Sequence, residues 1–139
     1  MLVRLTYFSR ALRAMSLADI RDILQTARRN NAELGVCGML SYASDWFLQA
    51  LEGPREVVNE LFLEIADDPR HQDVIIISYE EIAAPVFGNW QMGYVSDAGE
   101  VARLLGTLGL RCFDPPAMSP AQALAFLRAL GELEQSAAA

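Results

Sequence analysis

Phe47, Gln49 and Leu51 fall on one side of an alternating segment, which sets a primary amide in a row of large apolar side chains. Buried without partners, such an amide costs about 1–3 kcal/mol, so the position reads either as an edge-strand glutamine meeting water or as an amide with a task. Tyr7 stands in a second alternating segment beside Val3 and Leu5, with Ser9 two residues on. A tyrosine there is ordinarily core filling whose hydroxyl reaches the surface. Asn31 closes a helical segment and by itself reads as a C-terminal cap. His71, the single histidine, reads as a solvated loop residue, and Trp90 and Met92 as packing. Together these positions place an amide, a phenol and a second amide where two helices meet one sheet.

Other chemistries find little to work with. No Ser-His-acid spacing occurs, and Cys37 has no histidine near it in sequence, which disfavours nucleophilic catalysis. Neither GxGxxG nor a P-loop is present to cradle phosphate. Cys37 and Cys112 lie far apart, with no CxxC or Cys/His spacing, so no metal site is expected and the thiols suit a reducing, cytoplasmic setting. The net charge of −7 and the scattered basic residues argue against a nucleic-acid partner. No apolar run reaches the length of a membrane span or a signal-peptide core.

The elements that must position these residues fit one domain of 139 residues, with 53% apolar and 21% charged side chains. Leu2 to Ser9 alternates as a strand. Ser16 with Asp19 resembles a capping box, and Ile20, Ile23, Leu24 and Ala27 recur at helical spacing over about four turns, up to a stop at Asn30-Asn31. Gly35 to Ala43 and Trp46 to Glu52 read as strands joined at Ser44-Asp45. Gly53-Pro54 opens a second helix carrying Val58, Leu61, Phe62 and Ile65. Val74 to Ile82 reads as a fourth strand, with Ile75, Ile76 and Ile77 too continuous for a half-exposed one. The order β-α-β-β-α-β predicts an α+β, ferredoxin-like fold.

A short fifth strand is expected around Gln91 to Val95, then helices at Ala98 to Leu108 and Ser119 to Glu134, separated by Pro115-Pro116. Ala123, Leu124, Leu127 and Leu130 give the last helix an apolar stripe that must cover the bare sheet face or a second chain. The Ala137-Ala138-Ala139 tail looks dispensable.

Taken in order, Tyr7-x-Ser9, Asn31, Gly35-Val-Cys-Gly38-Met-Leu, Phe47-x-Gln49-x-Leu-Glu-Gly53, Asp68-x-Arg70-His71 and Trp90-x-Met92-Gly93 resemble the BLUF family, sensors of blue light using FAD. The resemblance covers about residues 2 to 95. It implies a ferredoxin-like fold with the flavin ring between the two helices, Ile23 and Ile65 against its faces, and Asn31, Arg70, Asp68 and His71 at its polar edge. It further implies that Tyr7 bonds Gln49, that Gln49 meets the flavin, and that Ser9, Trp90 and Met92 relay the change. A phenol can give up an electron and then a proton, and an amide can rotate or tautomerise to rewire a network; Tyr7 is thus the candidate donor and Gln49 the candidate switch. One departure is Pro85, where the family often carries arginine, which implies altered packing there.

The resemblance implies a flavin-binding core at 1–96 and a helical extension of the same domain at 97–139. It also implies FAD as cofactor, with FMN or riboflavin as substitutes, and a cytoplasmic photoreceptor that is not itself an enzyme. Such a module signals through a separate effector protein and is expected to form a homo-oligomer such as a dimer. Two readings compete with it. A ferredoxin-like enzyme of acylphosphatase type would need a glycine-rich phosphate loop that Arg10 and Arg13 do not have beside them, and a ligand-free interaction domain leaves Gln49 unexplained.

Overall fold

The computed structural model describes residues 1–138, with side chains through Glu134. The Ala137-Ala138-Ala139 tail therefore lies outside the described side chains. The chain runs β1 (Leu2–Ala11), α1 (Leu17–Leu34), β2 (Cys37–Ala43), β3 (Trp46–Pro54), α2 (Arg55–Ala66), β4 (His71–Ile82), β5 (Gly93–Tyr94), α3 (Ala98–Thr107), a single 3-10 turn at Pro115–Ala117, and α4 (Pro120–Ala138). The sheet order is β4-β1-β3-β2-β5. The first four strands pair antiparallel in the ferredoxin-like arrangement, and β5 adds to the β2 edge in parallel.

Local chemistry explains the joints. The Ser16 hydroxyl accepts from the Asp19 N–H while the Asp19 carboxylate accepts from the Ser16 N–H, closing the capping box of α1. Ser44 and Asp45 both take positive φ (52° and 67°), the two left-handed residues of a hairpin turn whose twist matches β2 and β3. At the start of α4 the same reciprocal bonding joins Ser119 and Gln122.

Four sequence expectations need correction. Helix α1 does not stop at Asn30-Asn31 but continues to Leu34, where Gly35 at φ 71° supplies the left-handed cap and donates to the Asn31 carbonyl. Asn31 is instead interior, only 1% exposed, on the one face of the last turn that meets the protein, while Ala32, Glu33 and Leu34 beside it are exposed. The isoleucine run does not mark a buried strand: β4 is the sheet edge, and Ile75 and Ile76 are half exposed. Register shifts between Thr6 and Tyr7 and between Phe8 and Arg10 break the pairing with β1, a feature that blunts an exposed edge. His71 is not a loop residue but the first residue of β4. The fifth strand shrinks to Gly93–Tyr94, so Trp90 and Met92 precede it and do not lie on it.

Each sheet face has its own core. Val3, Leu5, Tyr7, Phe47 and Leu51 face α1 and α2, packing with Ile20, Leu24, Val58 and Leu61. Met39, Leu48 and Ala50 face the other way, against Leu105 of α3 and Ala123, Phe126, Leu127 and Leu130 of α4. The apolar stripe of α4 is thus satisfied within the chain, with Phe126 adding to the residues its spacing announced.

Candidate functional site

The face under α1 and α2 is not completely filled. A pocket of about 270 Å³ opens there, floored by Tyr7, Leu40, Phe47, Gln49 and Leu51 and walled by Ile23, Ala27 and Asn31 from α1 and Leu61 and Ile65 from α2. Asp68, Arg70 and His71 stand at the same opening. Its inner walls are largely aliphatic, and its polar side chains, Thr26, Asn30 and Glu64 among them, converge on the same space, a make-up suited to a small-molecule site.

Strand register makes the central contact. Tyr7 on β1 lies directly opposite Gln49 on β3, and on one face of an antiparallel pair such side chains are neighbours. The Tyr7 hydroxyl donates to Gln49 Oε1 at 2.5 Å. Burial first, then the negative charge of Asp68, raises the phenol far above its usual range, so it stands neutral as a donor. That fixes the amide: with its oxygen turned to Tyr7, Gln49 Nε2 points at the Met92 thioether, 3.4 Å away. Sulfur is a weak acceptor, so the two ends of this amide are held very unequally.

The residues around the pair are tied to neighbouring elements. Asn31 Nδ2 donates to the Gln91 carbonyl at 2.7 Å, leaving its oxygen uncommitted. Arg70 grips Asp68 through Nε and Nη2, and this ion pair holds the Asp68 carboxyl below the usual carboxylate range. His71 has both ring nitrogens in use: Nε2 meets the Ile65 carbonyl at 2.5 Å and Nδ1 meets Ser9 Oγ at 2.7 Å. A carbonyl only accepts, so Nε2 carries the proton, and in the neutral ring Nδ1 accepts from the Ser9 hydroxyl. His71 and Ser9 thus tether the end of α2 to β1. Trp90 does not reach the pocket but packs with the α4-side core, while Met92, 1% exposed, takes the place beside Gln49.

Several participants were not singled out by sequence reasoning. Leu40, Leu61 and Asn30 line the pocket. Arg28 Nε donates to the Met92 carbonyl at 2.9 Å, and Glu134 accepts from the Tyr94 N–H at 2.9 Å. Glu52, fully buried on the opposite face of β3, accepts from Arg4 Nη1 and from the Val86 and Phe87 N–H groups. The 86–87 segment beside Pro85 is therefore anchored by a carboxylate whose charge Arg4 balances. Only Glu52 left a trace in the pattern, as an acid ending the apolar row Leu48, Ala50. Cys37 lies beside it, and burial with that neighbouring charge pushes its thiol up to about 12, which removes it as a nucleophile.

A tricyclic isoalloxazine matches this donor set. Aliphatic side chains wall two sides for a flat ring, amides and an ion pair stand at one end for a hydrogen-bonding edge, and a phenol–amide pair lies on the floor. Among the described residues no helix is long and apolar enough to cross a membrane.

Comparisons with known proteins agree with the geometry. The family model described as sensors of blue-light using FAD matches residues 2–93. The chain is 46% identical over 76 residues to photoactivated adenylate cyclase subunit beta of Euglena longa and 41% identical over 86 residues to that of Euglena gracilis. These alignments take in 55% and 62% of this chain but only 9% and 10% of the relatives, so the chain spans about a tenth of each. Two solved structures correspond over nearly their whole length. The photo-activated state of BlsA superposes with a TM-score of 0.85 at 35% identity, covering 94% of this chain and 95% of that one. The dark state of BlrB, a BLUF protein, gives 0.79 at 36% identity, covering 97% and 96%. The acylphosphatase-type and ligand-free alternatives do not survive these matches, and the chain belongs to the BLUF family, the blue-light sensors that use a flavin.

Proposed function

We propose that the chain is a light-operated binding module in which FAD occupies the slot between α1 and α2, with Gln49 as the switch and Tyr7 as its trigger. FMN and riboflavin would substitute, since the residues assigned here would hold the ring that all three flavins share. The observation that carries this reading is the chain of contacts Tyr7 Oη, Gln49, Met92 Sδ at the base of the slot. Ile23 and Ile65 would flank the ring, Asn31 would meet its polar edge through its oxygen, and Asp68 with Arg70 would stand at the opening. His71 serves the same site by holding α2 in place, its nitrogens being occupied.

When bound, the flavin supplies blue-light absorption and, in its excited state, an oxidant. Tyr7 would give an electron to the excited flavin and its hydroxyl proton by way of the Gln49 oxygen it bonds, and both would return, so no net oxidation would result. While the phenol lacks its proton, Gln49 loses the stronger of its two bonds and is free to turn or tautomerise. The rearranged amide presents a different pattern of donors to Tyr7, to the ligand and to Met92, and that pattern is the lit state. Ser9, Trp90 and Met92 connect it to β1, β4 and the α4-side core.

The module performs no chemistry on a substrate; its output passes to a separate effector or to a second copy in a dimer, in a cytoplasmic setting that suits its two free thiols. Relatives named as a photoactivated adenylate cyclase subunit and a light-regulated adenylyl cyclase, in which the matching part is 9% and 34% of the chain, support a sensor coupled to an output activity. Absorption spectroscopy of Gln49→Leu tests the mechanism. The variant fills similar space, so it should still bind flavin but show a shifted dark band and no light-induced shift. A full light-induced shift in Gln49→Leu rejects Gln49 as the switch.

A further inference from the structure

The segment that carries Met92 is held from both sides by groups that have no part in the slot. On one side Arg28 of α1 takes the Met92 carbonyl. On the other, the Glu134 carboxylate, forty residues away on α4, accepts the N–H of Tyr94 at 2.9 Å. Two glycines show that this seam is built for close approach. A Cβ on Gly93 would come within 2.5 Å of Glu134 Oε2, and a Cβ on Gly131, one turn before Glu134, would meet the Trp90 ring at 3.1 Å. One face of α4 thus seats both ends of residues 90–94: Gly131 receives the indole, and Glu134 clasps the backbone just past Met92.

β5 is the outer strand of the sheet, so the Tyr94 N–H has no sixth strand to donate to, and Glu134 stands where such a strand would offer a carbonyl. An ionised acceptor makes this bond stronger than a strand carbonyl would. Because Gly93 alone separates Tyr94 from Met92, holding that N–H sets how deeply the thioether reaches toward Gln49.

We propose that Glu134 is a positioning residue for the photoswitch: from the C-terminal helix it fixes Met92 against Gln49 in the dark arrangement, so α4 helps set the photocycle as well as covering the sheet. This rests on the Tyr7–Gln49 reading above. The clasp favours the dark register, and weakening it slows the return from the lit state. Arg28 is the charged group that faces Glu134, and residues 93–94 offer it backbone and no charge; burial raises its pKa while the Tyr94 N–H and Arg28 lower it. Acid that protonates Glu134 removes the charge assistance, so recovery slows as pH falls through its titration.

The test is dark recovery of the flavin band in the intact, flavin-loaded chain across a pH series. Glu134→Ala should recover roughly three- to tenfold more slowly at neutral pH, the span one net hydrogen bond allows, with flavin content unchanged. Glu134→Gln keeps an acceptor oxygen without a titrating group; it should recover near the wild-type rate at neutral pH and lose the acid-side slowing. Wild-type rates for Glu134→Ala at every pH overturn the proposal. Should Glu134→Ala fail to fold, an acid-side profile of Glu134→Gln that coincides with wild type overturns it equally. A wild-type protein that binds flavin but shows no light shift would instead remove the switch reading underneath.

Discussion

Gln49 and Glu52 lie three residues apart on β3, on opposite faces of the sheet, 5% and 0% exposed. Both are polar groups in apolar rows, yet they are held in opposite ways. Glu52 is saturated: Oε1 accepts from the Phe87 N–H at 2.7 Å, and Oε2 from the Val86 N–H at 3.0 Å and from Arg4 at 2.9 Å. Arg4 is bound in turn to Glu80 on β4 at 2.8 Å. Gln49 has one strong partner in Tyr7 and one weak one in Met92, beside an open slot. A group whose every lone pair is matched has one arrangement. A group held strongly at one end and weakly at the other, beside open space, has room for a second arrangement, which the proposed switch requires. The α4 side fixes the sheet, and the α1–α2 side leaves one amide able to choose.

The comparison predicts its largest effect at Glu52. Glu52→Ala leaves two N–H donors unpaired and the buried Arg4 with only the half-exposed Glu80 as counter-charge, and breaking a buried pair this way costs about 3–5 kcal/mol. Urea denaturation should show a loss of that size; a cost below about 1 kcal/mol would mean that Glu52 is not the lock described here. Next in size is removal of the ligand, which leaves the slot between Ile23 and Ile65 without its filling. Flavin at a hundredfold excess over its dissociation constant should add about 2.7 kcal/mol, raising the melting temperature, and a melting temperature indifferent to flavin contradicts the slot assignment.

Smaller in stability, though total in function, is Tyr7→Phe. Packing is conserved while one hydrogen bond is lost, so about 0.5–1.5 kcal/mol should go and flavin should stay. The normal light-minus-dark spectrum should vanish with the hydroxyl. A normal spectrum in Tyr7→Phe would reassign the donor and make the Tyr7–Gln49 bond merely structural.

How far the sequence disclosed this contrast follows from the range of the interactions. Period-two alternation in β1 and β3 put Tyr7 and Gln49 on inward faces, because alternation reports the sheet face directly. The capping box at Ser16 and the Ser44-Asp45 turn were legible because their bonds close within three residues. What stayed hidden acts at a distance. Nothing near Glu52 announces the Val86 and Phe87 amides, and nothing near Glu134 announces Tyr94. The pattern alone read Asn31 as a cap because a polar residue near a helix end suits a cap as well as a buried bond to Gln91, and only tertiary contact separates the two. The isoleucines of β4 misled for a related reason: a continuous apolar run does not reveal whether its strand lies at the centre of a sheet or at its edge.

The smallest predicted effect is a coupling close to zero, and it tests the comparison most directly. Tyr7→Phe and Gln49→Leu remove two ends of one bond, so their double variant should cost less stability than the singles added, with an interaction energy of about 0.5–1.5 kcal/mol. Gln49→Leu and Glu52→Gln share no partner, project from opposite faces and sit about 10 Å apart along the strand. Glutamine at 52 keeps the shape and one acceptor, so the double variant should remain folded, and its cost should equal the sum of the singles within about 0.3–0.5 kcal/mol. One physical route between the two residues follows the chain from the Val86 and Phe87 amides that Glu52 holds to Met92 beside Gln49, and another follows β1 from Arg4 to Tyr7. A coupling clearly above that margin in denaturation cycles would show that such a route carries energy, and that the locked face helps decide which arrangement the amide on the open face adopts.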